Sequence, residues 1–286
     1  MKSDVEEEDL PTASVNDHCS IDYFETKFTE ASTTTTIHIH DESTRIVKES
    51  LSQAGHDPRD QSKGEIAAYS TRHGARNQNR HKIICKWLLE RFPRLPKNSM
   101  VLDVAGGKGE LSSRLAMCHH LRVVMVDPRP ADIVSVYTKT VVPKLPKKWQ
   151  QQIHTQLQEN PNFVEALVKE RFQQFCMCFE GGAVANEPQL QVAIQSCSIL
   201  IGIHADGATE AIVDAALQYG KPFVVIPCCV FPNLFKQRFI RDEHDRKVEV
   251  RSHHQFCQFL LEKDGRFQKE ILPFQGRNIA IWWDGE

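Results

Sequence analysis

The stretch VLDVAGGKGELSSRLA, residues 101–116, constrains the fold of this chain more than any other segment. It passes from an apolar run to an aspartate, then to a glycine-rich turn and a helical pattern. Turns of this kind bind hydride-carrying dinucleotides, nucleoside triphosphates or a sulfonium methyl donor. The segment therefore predicts a strand-turn-helix unit with a ligand site at the end of its strand.

The order of residues in the turn separates these three ligand classes. Pyridine-dinucleotide folds prefer G-x-G-x-x-G, and a Walker loop needs Gly-Lys-Ser/Thr after four spacer residues. Neither pattern matches, because Asp103 is followed by Ala105, Gly106, Gly107 and Gly109. A carboxylate before a small-Gly-x-Gly turn suits S-adenosylmethionine, whose methionine part carries an ammonium group. Glycines in the turn let the backbone approach such a ligand without an intervening Cβ.

Two further acidic residues are candidates for the same site. The second apolar run, VVMVDP, ends in Asp127, and a carboxylate there can accept hydrogen bonds from ribose hydroxyls. Dinucleotide folds use an acid in the same way, so Asp127 alone does not discriminate. Glu180, beyond a weak third strand, is expected either to contact the adenine amino group or only to begin the GGAVANEP loop.

The alternation of apolar runs and helical patterns after residue 98 predicts the fold class. Strands that alternate with helices form a parallel sheet with helices on both faces. The last two apolar runs, FQKEILPF and NIAIWW, are separated only by QGR, so they must be antiparallel. We therefore predict an α/β protein with a doubly wound, mostly parallel seven-stranded sheet and an antiparallel C-terminal strand.

These motifs together resemble the class I, Rossmann-like S-adenosylmethionine-dependent methyltransferases, over about residues 80–286. The resemblance implies S-adenosyl-L-methionine as the cofactor and methyl transfer as the activity. Ala105 stands where the first loop glycine of that family usually lies. The cofactor-binding residues that it implies are Asp103, Ala105, Gly106, Gly107, Gly109, Asp127 and Glu180.

The methyl acceptor is read from the segments after the fourth and fifth strands. GIHADGATE replaces the Asn/Asp-Pro-Pro-aromatic motif of amine-methylating members, which argues against an exocyclic nitrogen. With PCC at 227–229, it is similar to a subgroup that includes tRNA ribose 2′-O-methyltransferases, although Asp206 replaces a cysteine of that pattern. The resemblance makes an RNA ribose hydroxyl the expected acceptor and His204 and Asp206 the catalytic candidates. A protein or small-molecule acceptor, or cofactor binding without turnover, stays open.

Each acceptor-side residue also has a purely structural interpretation. Asp206 can N-cap the helix that begins near Ala208, and His204 can simply pack at the strand end. Cys228 and Cys229 resemble the nucleophile of cytosine-C5 RNA methyltransferases, but the second cysteine motif of those enzymes is absent. No cysteine pair has zinc-site Cys-x-x-Cys spacing, so no metal site is predicted, and the nine cysteines are expected to be reduced.

Charge divides the chain into two parts. Residues 1–62 carry 14 acidic and 5 basic side chains and are rich in Ser and Thr, which predicts a disordered acidic tail. Within it, the HIH at 38–40 lacks a third metal ligand. Residues 63–286, with 23 acidic and 30 basic side chains, are the predicted methyltransferase domain. Its segment 63–96 is a basic helical extension that is expected either to contact RNA phosphates or to be a solvated face.

The cellular location of the protein is predicted from sequence features that it lacks. No apolar run is long enough to cross a bilayer, and the acidic N-terminus shows neither a signal nor a transit peptide. A cytoplasmic or nuclear protein without a membrane partner is therefore expected.

Overall fold

The structure is a computed structural model that describes residues 79–286. The acidic tail predicted for residues 1–62, including the histidines at 38–40, lies outside the described residues. So do residues 63–78 of the basic extension.

Within the described residues, seven strands form one sheet in the order β3-β2-β1-β4-β5-β9-β8, and two more form a separate ribbon. Every neighbouring pair in the sheet is parallel except the two pairs that involve β9. The predicted fold class is therefore confirmed, including the antiparallel C-terminal strand. The strands are β1 (Met100–Val104), β2 (Arg122–Val126), β3 (Phe172–Phe175), β4 (Ile199–Ile203), β5 (Phe223–Ile226), β6 (Phe239–Arg241), β7 (Lys247–Glu249), β8 (Gln268–Ile271) and β9 (Ile279–Trp283).

Helices connect the strands and cover both faces of the sheet. Two of them continue into π-helical turns, Arg114–Cys118 after α2 and Tyr137–Val141 after α3. The helices are α1 (Arg80–Arg91), α2 (Glu110–Ser113), α3 (Ile133–Val136), α4 (Lys147–Glu159), α5 (Phe163–Arg171), α6 (Gly181–Asn186), α7 (Pro188–Ser196), α8 (Thr209–Tyr219) and α9 (His253–Leu261).

The central strands are buried on both faces, which explains their continuous apolar sequences. Successive β1 residues alternate between two cores: Val101 belongs to the core that includes Trp87 of α1, and Leu102 belongs to the core that includes Ile194 of α7. The sheet therefore has no solvated face along β1, and its polar residues lie at the strand ends.

The strand order creates a crevice at one edge of the sheet. The chain builds β1, β2 and β3 in one direction and then returns to place β4 on the other side of β1. Loops that leave the carboxyl ends of β1 and β4 therefore diverge, and ligands bind in open α/β sheets at such a switch point. The loops expected to bind cofactor and acceptor both begin there.

Two local predictions need correction. The proline-rich connection after β2 contains α3, and it leads into helix α4, which the sequence pattern did not predict because only Ile153 of α4 is buried. The third strand is Phe172–Phe175 and not QQFCMCF at 173–179. It is an edge strand without a fully buried residue, so its apolar pattern is weak.

The segment FKQRFIRDEHDRK at 235–247 is basic enough in sequence to contact phosphates, but its arginines form ion pairs within the protein. Arg238 is 1% exposed and donates from Nε to the Glu210 carboxylate over 2.6 Å. Its guanidinium lies 3.6 Å from the ring centre of Phe235 and 4.5 Å from that of Phe256. Arg238 is thus enclosed by protein and cannot reach a phosphate.

The other guanidinium groups of this segment lie on the surface of the β6–β7 ribbon. Arg241 pairs with Asp245, and Arg246 pairs with Asp242, each four residues apart.

Among residues 79–286, no helix has the length and apolarity that a membrane crossing requires.

Arg238→Ala is expected to lower the free energy of unfolding by about 3 kcal/mol, because it leaves the partly buried Glu210 without its shortest cationic contact. Urea denaturation monitored by tryptophan fluorescence measures this loss. Arg246→Ala is the matched control on the exposed ribbon surface and is expected to change stability much less. Equal effects of the two substitutions would contradict a structural role for the buried guanidinium.

Candidate functional site

The glycine-rich turn after β1 uses left-handed backbone at three of its residues. Ala105, Gly107 and Gly109 have φ values of 56°, 63° and 78°. The Ala105 N–H donates to the Val126 carbonyl over 2.7 Å, which fixes the turn against the end of β2. An alanine in this conformation costs about 1–2 kcal/mol relative to a favourable one. Ala105 therefore adopts the left-handed backbone that glycine adopts more readily, and the turn forms without a glycine at this position.

Close contacts require two of the glycines. A Cβ on Gly106 would lie 2.5 Å from the Met125 sulfur and 2.9 Å from the Asp103 carboxylate. A Cβ on Gly109 would lie 2.3 Å from Cδ1 of Ile133. The turn is thus packed closely against β2, α3 and the Asp103 side chain.

Asp103 is a buried acid without a basic partner among the groups that set its pKa. Its side chain is 1% exposed, and Ser112 Oγ of α2 donates to its Oδ2. Burial raises the pKa of Asp103 to about 7; the Ser112 hydrogen bond opposes this rise and the negative charge of Asp127 adds to it. A cation placed beside this carboxylate would compensate the free-energy cost of burying its ionised form.

Asp127 directly follows β2 and is the second buried acid of the site. It accepts the Gly107 N–H over 2.9 Å, so the two strand ends are linked through the turn. Burial alone would raise the pKa of Asp127, but hydrogen bonds from the Arg129 side chain and from the backbone N–H groups of Arg129 and Gly107 outweigh it. The pKa lies below its ordinary value, and Asp127 is ionised at neutral pH.

Arg129 was not among the residues predicted for the site. Its Nε and Nη2 donate to the two Asp127 oxygens over 3.1 and 3.2 Å, while its own side chain is 75% exposed. Ribose hydroxyls at Asp127 must therefore displace or share these contacts. The only sequence signal was an arginine two residues after the acid, in VDPRP.

Glu180 lies on the same side of the site as Asp127. It immediately precedes α6 in extended backbone, its side chain is exposed and it does not cap the helix. Burial and then the negative charges of Glu180 and Asp127 raise the pKa of Cys178, so both acids are near that thiol. The GGAVANEP segment expected as a loop contains α6, and Glu180 is free to contact a ligand.

His204 follows β4. We use the term acceptor side for the part of the crevice that is formed by the loops after β4 and β5. It has a φ of 55°, and its N–H donates to the Ile226 carbonyl of β5 over 3.0 Å. Burial lowers the pKa of His204 to about 4, and the positive charges of Arg80 and His81 contribute to the decrease. The imidazole is thus uncharged at neutral pH.

Asp206 does not N-cap the following helix, contrary to one sequence-based alternative. It begins a short turn before α8, and its carboxylate makes no capping hydrogen bond. Asp206 Oδ1 instead accepts from Cys228 Sγ over 3.1 Å, and Cys228 Sγ lies 3.5 Å from Cys229 Sγ. The structure therefore brings together the candidate acid and both cysteines of PCC.

The nucleophile interpretation of Cys228 is not supported by its surroundings. Its hydrogen bonds to Cys229 and Asp206, together with burial, raise the pKa of the Cys228 thiol. A cysteine attacks as a thiolate, so these contacts oppose the chemistry.

Helix α1 is fixed beside the glycine turn by an ion cluster on Glu110. Glu110 contacts His81 of α1 at 3.1 Å, Lys144 at 3.0 Å and Arg114 at 3.2 Å. Burial would raise the pKa of Glu110, but these partners lower it to about 2. The cluster places the first turn of α1, with Arg80, next to the acceptor side.

Three arginines from separate elements act electrostatically on the acceptor-side groups. Arg80 influences His204, Arg129 influences Asp206, and Arg277, shortly before β9, influences Cys229. Elsewhere on α1, Lys86 pairs with Glu90 and Arg91 pairs with Glu270.

No family model and no curated protein sequence matches this chain. Solved structures similar to it include the methyltransferase domain of bacterial CtHen1, at 12% identity over 72% of this chain and 100% of that chain, with a TM-score of 0.40. An rRNA methylase from Streptococcus thermophilus matches at 13% identity over 71% and 92%, with a TM-score of 0.32. A mutant of MtNAS in complex with S-adenosylmethionine matches at 10% identity over 71% and 60%, with a TM-score of 0.36.

The raised pKa of Asp103 predicts how stability depends on pH. In the unfolded chain this acid ionises near pH 4, but in the folded protein it does so near pH 7, so folding binds a proton between those values. Its contribution to stability is complete below pH 4 and decreases by up to about 1.4 kcal/mol per pH unit as pH rises toward 7.

Asp103→Asn removes this contribution while it keeps an acceptor for Ser112. The variant is expected to lose less stability than the unchanged protein between pH 5 and pH 7, measured by urea denaturation. Identical pH profiles would show that Asp103 is not a buried acid with a raised pKa. Asp284→Asn, at an exposed carboxylate near the chain end, is the matched control.

Proposed function

We propose that this protein is an S-adenosylmethionine-dependent methyltransferase that modifies RNA at a ribose hydroxyl. The observation that carries the proposal is the buried Asp103 carboxylate, which has no cation among the groups that set its pKa and lies beside the glycine-rich turn after β1. A second buried acid, Asp127, is linked to the same turn through Gly107.

The residues on the β1 and β2 side fit the chemical groups of the proposed cofactor. Asp103 offers its carboxylate to the ammonium group of the methionine part, directly or through water. Asp127 offers two oxygens to the ribose hydroxyls once Arg129 has moved, which its exposed side chain permits. Glu180 offers an exposed carboxylate to the adenine amino group.

When bound, S-adenosylmethionine supplies a methyl group that is already activated by its sulfonium centre. The main task of the protein is then to align the acceptor in line with that group. Positioning of two reactants can contribute about 7–11 kcal/mol to lowering a barrier. For a hydroxyl acceptor, His204 and Asp206 are the groups that can accept its proton or orient it.

The surroundings of the acceptor side support a polyanionic substrate. Arg80, Arg129 and Arg277 come from three elements and influence His204, Asp206 and Cys229. A nucleotide acceptor has a phosphate on either side of its ribose, which matches positive charge on several sides of one small site. A neutral small molecule gives no reason for this arrangement.

Methyl transfer is tested directly with tritium-labelled S-adenosylmethionine, unmodified tRNA and rRNA transcripts, and a protein fraction as acceptors. We expect label in RNA, located at a ribose by its resistance to alkaline hydrolysis at the modified position. Asp103→Asn is expected to abolish incorporation because it removes the carboxylate for the ammonium group. Asp284→Asn is expected to retain it.

Label in protein alone would contradict the RNA acceptor. If calorimetry detects cofactor binding but no RNA or protein fraction becomes labelled, methyl transfer is contradicted. Absence of cofactor binding would contradict the whole proposal.

RNA binding is expected to weaken steeply as salt rises, because phosphate contacts release counterions. Arg80→Gln is expected to reduce the slope of log affinity against log salt by about 1, as the loss of one phosphate contact would. Filter binding or fluorescence anisotropy with a labelled transcript measures this. Arg94→Gln is the matched control, since Arg94 pairs with Glu286 at the chain end. A flat salt response, or equal slopes for both variants, would contradict phosphate recognition at this site.

A further inference from the structure

Three ligand-type side chains meet where β4 and β5 end. We propose that Asp206, Cys228 and Cys229 form a binding site for a thiophilic divalent cation of the zinc class. The three donor atoms are one carboxylate oxygen and two sulfurs, and all lie within 4.8 Å of one another. This site goes beyond methyl transfer and does not depend on it.

The distances fit a single ion. The two sulfurs are 3.5 Å apart, and the Cys228 sulfur is 3.1 Å from Asp206 Oδ1. With Zn–S bonds near 2.3 Å and Zn–O bonds near 2.0–2.2 Å, a tetrahedral ion separates its ligands by about 3.5–3.8 Å. The two measured separations differ from these values by about half an ångström or less, and the Asp206 oxygen lies within 4.8 Å of the Cys229 sulfur.

The ligands are fixed by elements on three sides. Cys228 and Cys229 follow the fully buried strand β5, and both are free thiols. Thr209 Oγ1 donates to the Asp206 carbonyl over 3.0 Å, which fixes the turn that carries this acid. The loop after Cys229 is tied by the buried Arg238, which donates to the Val230 carbonyl over 2.9 Å.

The charge balance of the site also suits a divalent ion. Two thiolates and a carboxylate carry three negative charges, so a bound divalent cation leaves a net single negative charge. Arg129 near Asp206 and Arg277 near Cys229 compensate that remainder. Binding releases the thiol protons to solvent, as it does at other cysteine metal sites.

Three protein ligands leave the fourth tetrahedral position for a solvent or substrate oxygen, which is the pattern of catalytic zinc sites. Asp206 then serves as a ligand, and His204 remains as the proton acceptor of the acceptor side. Motif spacing did not predict this site, because Asp206 lies 22 residues before Cys228 and the two cysteines are adjacent.

The test uses the reduced full-length chain after removal of metal by a chelator. We expect added Co²⁺ to produce a thiolate-to-cobalt charge-transfer absorption that saturates at one ion per chain and disappears when Zn²⁺ is added. Cobalt bound to histidine or carboxylate alone does not give this absorption, so the tail histidines at 38–40 cannot account for it.

Cys228→Ser and Cys229→Ser are each expected to lose most of the absorption, and Asp206→Asn is expected to lower Co²⁺ affinity at least about tenfold. Cys176→Ser is the matched control, because Cys176 is an exposed thiol after β3. Circular dichroism verifies that each variant is folded.

No thiolate-to-cobalt absorption in the reduced protein, or absorption that persists in both Cys228→Ser and Cys229→Ser, would overturn the metal site. If the unchanged protein gives the cobalt spectrum but does not bind S-adenosylmethionine, the proposed function is contradicted and the metal site is still supported. The two proposals are therefore tested independently.

Discussion

The buried carboxylate of Asp103 is the constraint around which the rest of the site is arranged. An ionised group removed from water is costly unless a partner compensates its charge. Among residues 79–286, the side-chain hydrogen bond to Asp103 comes from the uncharged Ser112 hydroxyl. Burial raises the pKa of Asp103 to about 7. Gly106 gives the carboxylate room, since a Cβ there would contact it. In the proposed function, the ammonium group of the cofactor is the cation that compensates this charge.

The crevice has two sides with different electrostatics. On the cofactor side, Asp127 accepts the Gly107 N–H of the turn that follows the Asp103 strand, and in the proposed function the two carboxylates face the ammonium group and the ribose hydroxyls of the cofactor. On the acceptor side, positive groups such as Arg80 lie near an uncharged His204. Arg129 belongs to both, because it binds Asp127 and influences Asp206. Its displacement by a bound ribose would link cofactor binding to the charge of the acceptor side.

Structural ion pairs position both sides without taking part in the chemistry. The Glu110 cluster fixes α1 beside the turn through His81. Arg238, enclosed between aromatic rings and paired with Glu210, ties the loop that follows the cysteines. Such buried pairs contribute little net stability against an apolar alternative, but they fix one arrangement of the loops. That arrangement is what brings the Asp206 carboxylate onto the two thiols.

The sequence by itself determined the fold and the location of the cofactor candidates. Apolar runs and helical periodicity are local, and the three-residue gap before β9 forces its antiparallel direction. Acids that follow such runs, Asp103 and Asp127, necessarily lie at one edge of the sheet. Only the tertiary structure decided that Arg238 is buried, that Arg129 binds Asp127, and that Asp206 faces the cysteines and not a helix end. These contacts depend on packing and on loops from different strands, and local patterns carry no information about which side chains meet.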